Sequence, residues 1–109
     1  MKYFIYCRKS SEQEDRQILS LPAQQKELTD YAERENLQIV DVFLEAQSAH
    51  KIGRSQFNEM LNRIDKNEAD GFLVWDESRI ARNSLDGGRV IYMMDLGLIK
   101  EIRKIGKKY

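Results

Sequence analysis

Proline, cysteine, histidine and tryptophan each occur once in these 109 residues. A lone Cys7 cannot close a disulfide within the chain, which fits a reducing, cytoplasmic setting, and it reads as a small hydrophobe in a core. His50 has no second imidazole near it and no acid or thiol cluster at ligand spacing, so neither a metal nor another cofactor is expected. No apolar run approaches the roughly 18 residues needed to span a membrane, and no signal-peptide pattern precedes the first apolar stretch. Charge of one sign is also missing: 18 basic and 18 acidic residues cancel. Binding to a polyanion must therefore be argued from local clusters. Repeats, low-complexity tracts and linkers are absent too, so the chain reads as one charge-rich domain, residues 1–109.

What is present is an alternation of short apolar runs and helical patterns. Tyr3-Phe4-Ile5-Tyr6-Cys7 is apolar throughout, the pattern of a strand buried on both faces and central in a parallel sheet. Ser20-Leu21-Pro22 is a helix start, with Ser20 as the cap and the lone proline in a first turn that tolerates its missing N–H. Leu21, Leu28, Tyr31 and Ala32 share a face of that helix, and Asn36 ends it. A second strand is expected at Ile39–Leu44, at most Leu37–Glu45. Phe57, Met60, Leu61 and Ile64 then recur at helical spacing. Phe72–Trp75 reads as a third buried strand. Gly87-Gly88 precedes a third helix with Val90, Ile91, Met94 and Leu98 on its apolar side and Gly97 as a C-cap candidate. The stretch from Leu98 to Ile105 holds a fourth strand. The order β-α-β-α-β-α-β predicts an α/β fold: three layers, an open, mainly parallel sheet flanked by helices.

In such sheets the site lies outside the carboxyl ends of the strands. Three stretches converge there: Arg8 to Ser10, Gln47 to Arg54, and Asp76 to Asn83. Arg8 and Ser10 project to the same side of an extended chain. Arg79 and Arg82, three apart, face one way if a helical turn follows the third strand. With Arg54 they make a set of guanidinium forks beside a hydroxyl, a geometry suited to phosphate oxygens. The bland alternative pairs each arginine with Asp76, Glu77, Asp70 or Glu45 in surface ion pairs of little consequence. Lys100, Arg103, Lys104, Lys107 and Lys108 crowd the C-terminus, either as a solvated end or as a phosphate-facing segment.

Four blocks carry a resemblance to the catalytic domain of the serine recombinases, the resolvase/invertase family, and most to the start of large serine integrases and mobile-element recombinases. Tyr6-Cys7-Arg8-Lys9-Ser10 matches the family's Tyr-x-Arg-x-Ser. Gln24 within Ser20–Gln24 matches, as does Gly53-Arg54 before Phe57. Arg79-Ile80-Ala81-Arg82-Asn83 matches Arg-Leu-x-Arg-Asn, followed by Gly87-Gly88. The match runs from Lys2 to about Ile105. In one departure, Ser78 stands where the family usually has Asp. The chain is also expected to stop short of the family's dimerisation helix and DNA-binding domain.

The resemblance implies a site-specific DNA recombinase in which Ser10 attacks a phosphodiester of double-stranded DNA. Arg8, Arg79 and Arg82 join it in catalysis, and Arg54, Gln24 and Gln13 hold the phosphate. It implies no metal, no small-molecule cofactor, and a homodimer or tetramer in the full-length protein. Two other readings stay open. One is a recombinase-like module disabled by Ser78 or truncation that binds DNA or a partner recombinase without cleaving. The other is a flavodoxin-like domain for a small phosphate ligand, although the chain lacks the glycine-rich loop after the first strand that such a cradle favours.

Overall fold

The structure, a computed structural model, describes residues 1–9, 19–46, 55–75 and 84–106. Seven elements follow in order: β1 (Lys2–Arg8), α1 (Leu21–Arg34), β2 (Gln38–Glu45), α2 (Ser55–Asp65), β3 (Gly71–Val74), α3 (Ser84–Asp95) and β4 (Glu101–Lys104). The sheet has strand order β2-β1-β3-β4, and every pairing in it is parallel. The expected three-layer α/β architecture is what forms.

β1 is central and buried from Tyr3 to Arg8. Its side chains alternate between two cores, as a pleated strand requires. Phe4 and Tyr6 face α2 and α3, packing with Phe43, Phe57, Met60, Leu61, Ile64, Val90 and Met93. Tyr3, Ile5 and Cys7 face α1 and pack with Leu28 and Ala32. The four apolar positions expected on α2 are all completely buried. Burial also pushes the Cys7 thiol up to about 12, so it packs as the hydrophobe its surroundings call for. Arg63 of α2 lies over the Phe4 and Phe43 rings, 5.0 and 5.5 Å from their centres. It bonds Asp41 at 2.6 Å and Glu68 at 2.9 Å, fastening α2 across β2.

The helix ends share one device. Asn36, Asn67 and Gly97 each take a left-handed backbone conformation. The amide that follows each reaches back to a carbonyl of the last turn: Leu37 to Ala32 at 2.9 Å, Glu68 to Arg63 at 3.0 Å, Leu98 to Met93 at 3.0 Å. Asparagine and glycine are the residues for which that conformation costs least. At the other end of α1, Ser20 is extended and its hydroxyl accepts from the Ala23 amide at 3.3 Å, as expected of its cap.

Two local expectations need correction. α3 begins at Ser84, so Gly87 and Gly88 lie inside it and do not precede it. Its buried face is Asp86, Val90 and Met93, while Ile91 and Met94 are exposed together with Leu85, Tyr92 and Leu96. Apolar residues lie on both sides of this helix, so periodicity alone could not choose the inward one. The fourth strand is also shorter than the stretch from Leu98 to Ile105, because Leu98 and Ile99 are taken up in leaving α3 and packing under it.

Candidate active site

The chain leaves β1 to one side of the sheet through α1 and β2, then crosses back to the other side through α2 and β3. The strand order therefore reverses between β1 and β3. In open α/β sheets that switch point, beyond the carboxyl ends, is where ligands bind. β1 ends there in Arg8, β2 in Glu45 and β3 in Val74. The stretches bearing the remaining sequence candidates leave from these three neighbouring ends. Ser10, Gln13, Arg54, Arg79 and Arg82 themselves lie outside the described residues, as do Ser78 and His50.

Two of the seven candidates are described, Arg8 and Gln24, and they meet. Arg8 is completely buried at the end of β1, and Gln24 is completely buried on α1. The Gln24 amide reaches the Arg8 backbone from the α1 side. Its Oε1 accepts from the Arg8 N–H at 3.4 Å, and its Nε2 donates to the Arg8 carbonyl at 3.0 Å and the Leu19 carbonyl at 2.9 Å. Ser20 caps the helix one turn before Gln24, and Leu28 and Ala32 continue the same buried face. The N-terminal signal of α1 thus delivers this amide to the end of β1.

A third buried polar group, Glu45, was not among the sequence candidates. It is the register partner of Arg8 on the neighbouring strand. Its carboxylate accepts from the Phe57 amide at 2.9 Å, the Gln56 amide at 3.3 Å and the Tyr6 hydroxyl at 3.3 Å. The first two donors belong to the first turn of α2, where backbone N–H groups lack partners within the helix and the helix dipole favours negative charge. Glu45 thereby binds β2 to α2 across residues 47–54. The signal available in the sequence was an acid closing an apolar strand immediately before a polar stretch.

A guanidinium held in the interior is costly unless other groups compensate its charge. In such surroundings a fixed positive charge acts on a nearby anion far more strongly than in water. The described part of the site is thus an arginine at a switch point, tied by Gln24 on one side and neighboured by Glu45 on the other. Among the described residues no group of three or more His, Cys, Asp or Glu side chains is arranged to hold a metal ion. No helix there is long and apolar enough to cross a membrane.

Fold and site together define an open parallel α/β domain with a buried cationic group at its switch point. The chain matches the family described as "Resolvase, N terminal domain" over residues 3–95, and it belongs to that family. Its fold is similar to the C-terminal catalytic domain of ISC1926 TnpA, an IS607-like serine recombinase. That likeness has a TM-score of 0.80 and 18% identity, over 99% of this chain and 69% of that one. It is also similar to the N-terminal catalytic domain of TP901-1 integrase, with a TM-score of 0.75 and 26% identity over 96% of this chain and 77% of the other. A resolvase family site-specific recombinase from Streptococcus pneumoniae aligns with a TM-score of 0.71 and 27% identity, over 96% of this chain and 72% of that one.

Proposed function

We propose that this domain cleaves and rejoins double-stranded DNA through a covalent bond to Ser10, as part of site-specific recombination by a homodimeric or tetrameric full-length protein. The observation that carries the reading is Arg8. The sequence places it two residues before Ser10, and it ends the central strand at the switch point, buried beside Glu45.

In the reaction, Ser10 Oγ attacks the phosphorus in line and loses its proton. The bond between phosphorus and the 3′ oxygen breaks, and that oxygen leaves as a 3′-hydroxyl after taking up a proton. The product is a 5′-phosphoserine ester. Its energy is close to that of the bond broken, so a 3′-hydroxyl from an exchanged strand can reverse the step. A serine hydroxyl is a weak nucleophile at neutral pH and needs activation. Arg8, Arg79 and Arg82 favour its alkoxide character and stabilise the charge that accumulates on the pentavalent phosphorus. Arg54 and Gln13 hold the scissile phosphate. The arginines supply the positive charge, and no metal ion is assigned a part.

Covalent trapping tests this. The full-length protein is mixed with nicked suicide-substrate DNA, beside Ser10→Ala and Arg8→Ala. A protein–DNA adduct that survives denaturation and requires Ser10 is expected. Arg8→Ala is expected to lose roughly 2.7–4 kcal/mol of transition-state stabilisation, close to inactivation. Cleavage by Arg8→Ala near the parent rate would remove Arg8 from the mechanism. DNA binding with no adduct at all would instead favour a non-cleaving module, a reading that Ser78 keeps alive. Restoring activity with Ser78→Asp would then locate the defect.

A further inference from the structure

We propose that Gln24 is a positioning residue that ties together the two ends of the chain stretch carrying Ser10, and that it makes no contact with the DNA phosphate expected of it from the sequence. The inference rests on the function proposed above for Ser10 and deepens it.

A primary amide offers two N–H donors and one carbonyl acceptor. Both Gln24 donors are occupied, one by the Arg8 carbonyl and one by the Leu19 carbonyl. Its oxygen accepts from the Arg8 amide. Nothing of the side chain is open to solvent. A phosphodiester oxygen only accepts hydrogen bonds. To serve it, Gln24 would have to release a backbone carbonyl and leave that group unpaired in the interior.

The sheet shows what the amide does instead. Among the described residues, β1 pairs with β3 at Tyr3, Phe4 and Ile5 and no further, whereas its pairing with β2 continues to Arg8. The Lys9 amide bonds the Glu45 carbonyl, on the β2 side. Successive residues of a strand direct their backbone groups to alternate sides, so those of Arg8 face the side where the β3 pairing has already ended. The Gln24 amide stands there in place of a strand: it both accepts from and donates to Arg8. Its second donor reaches Leu19, where the chain returns after Ser10. One amide, on the same buried face of α1 as Leu28 and Ala32, thus sets the direction in which the chain leaves β1 and the point to which it comes back. A nucleophile two residues beyond Arg8 inherits that geometry, and attack in line on phosphorus is sensitive to displacements of about 1 Å.

The test compares the full-length parent with Gln24→Met, which keeps length and apolar volume but removes all three bonds. Leu28→Ala serves as the control, loosening the same face of α1 without touching them. For Gln24→Met the Arg8 amide is expected to exchange its hydrogen about tenfold faster while that of Phe4 is unchanged. DNA affinity should stay within about twofold, and adduct formation at saturating DNA should fall about a hundredfold. Leu28→Ala should form adduct near the parent rate. Loss of DNA affinity with Arg8 exchange unchanged would restore the phosphate contact and overturn the proposal, as would adduct formation by Gln24→Met at the parent rate. Should Gln24→Met not fold, Gln24→Asn, which withdraws the amide by one methylene, carries the same expectations. If the parent itself forms no adduct, the function proposed above fails, while Arg8 exchange still decides whether Gln24 is the tie.

Discussion

Replacing Glu45 with alanine is expected to cost about 3 kcal/mol of folding stability, and the structure shows where that figure comes from. The carboxylate is buried and accepts from two backbone amides and one hydroxyl. The 2.9 Å bond from Phe57 is a charge-assisted bond to a helix terminus, a class worth about 1.5–3 kcal/mol. The Gln56 and Tyr6 bonds, both at 3.3 Å, are longer and together contribute about 1 kcal/mol. Urea unfolding monitored by circular dichroism, with the slope checked for constancy, measures the loss. Glu45→Gln keeps an acceptor oxygen and should lose about half as much. Tyr6→Phe combined with Glu45→Ala should fall short of additivity by about 0.5 kcal/mol, because the two changes remove one shared bond. A loss below about 1 kcal/mol for Glu45→Ala, or strict additivity with Tyr6→Phe, would refute the view that this carboxylate fastens α2 to the sheet.

Four further outcomes follow from the same structure. Gly88→Ala should raise stability by about 0.5–1 kcal/mol, since the position is helical and nothing stands near an added Cβ. Gly71→Ala should lower stability in the same unfolding assay, because its Cβ would run into the Glu101 carbonyl where β3 and β4 pair. Asp41 is held below its ordinary value by Arg63, Asp70 by the Lys2 amide, and Glu101 by the Tyr3 hydroxyl. Their stabilisation is therefore complete above the ordinary values of 3.8 and 4.5 and is lost as pH falls through the lowered folded values. Urea midpoints at pH 7, 4.5 and 3 should show that drop, with a smaller one in Asp41→Asn; a flat profile would contradict it. Finally, the native Cys7 thiol should resist a disulfide reagent at pH 8 and react only as the chain unfolds, because it is buried and its pKa is pushed up to about 12.

Patterns with a fixed local cause were legible in the chain itself. Five apolar residues in succession at Tyr3–Cys7 can be satisfied only by cover on both faces, which made β1 central. Ser20 before Leu21-Pro22, and Asn36 and Gly97 after apolar stretches, mark helix ends because their side chains or backbones meet needs confined to one turn. The spacing of Phe57, Met60, Leu61 and Ile64 permits a single helical face. α3 carries apolar residues all round, so its inward side depended on what it packed against, and the sheet selected Val90 and Met93.

The site divided along the same line. Arg8 was visible because its chemistry and its place after a buried strand are both sequence properties. The work of Gln24 and Glu45 was not, because each is set by partners that the fold brings together: Arg8 and Leu19 for the amide, Tyr6 and Phe57 for the carboxylate. A glutamine in a sequence is a donor available to any acceptor. Only the packing of α1 against the end of β1 determined that its donors face the chain's own carbonyls. The sequence alone thus determined which elements form and that Arg8 closes the central strand. The tertiary structure decided which polar groups remain available to a ligand, since hydrogen-bonding capacity is finite and burial allots it first to the backbone.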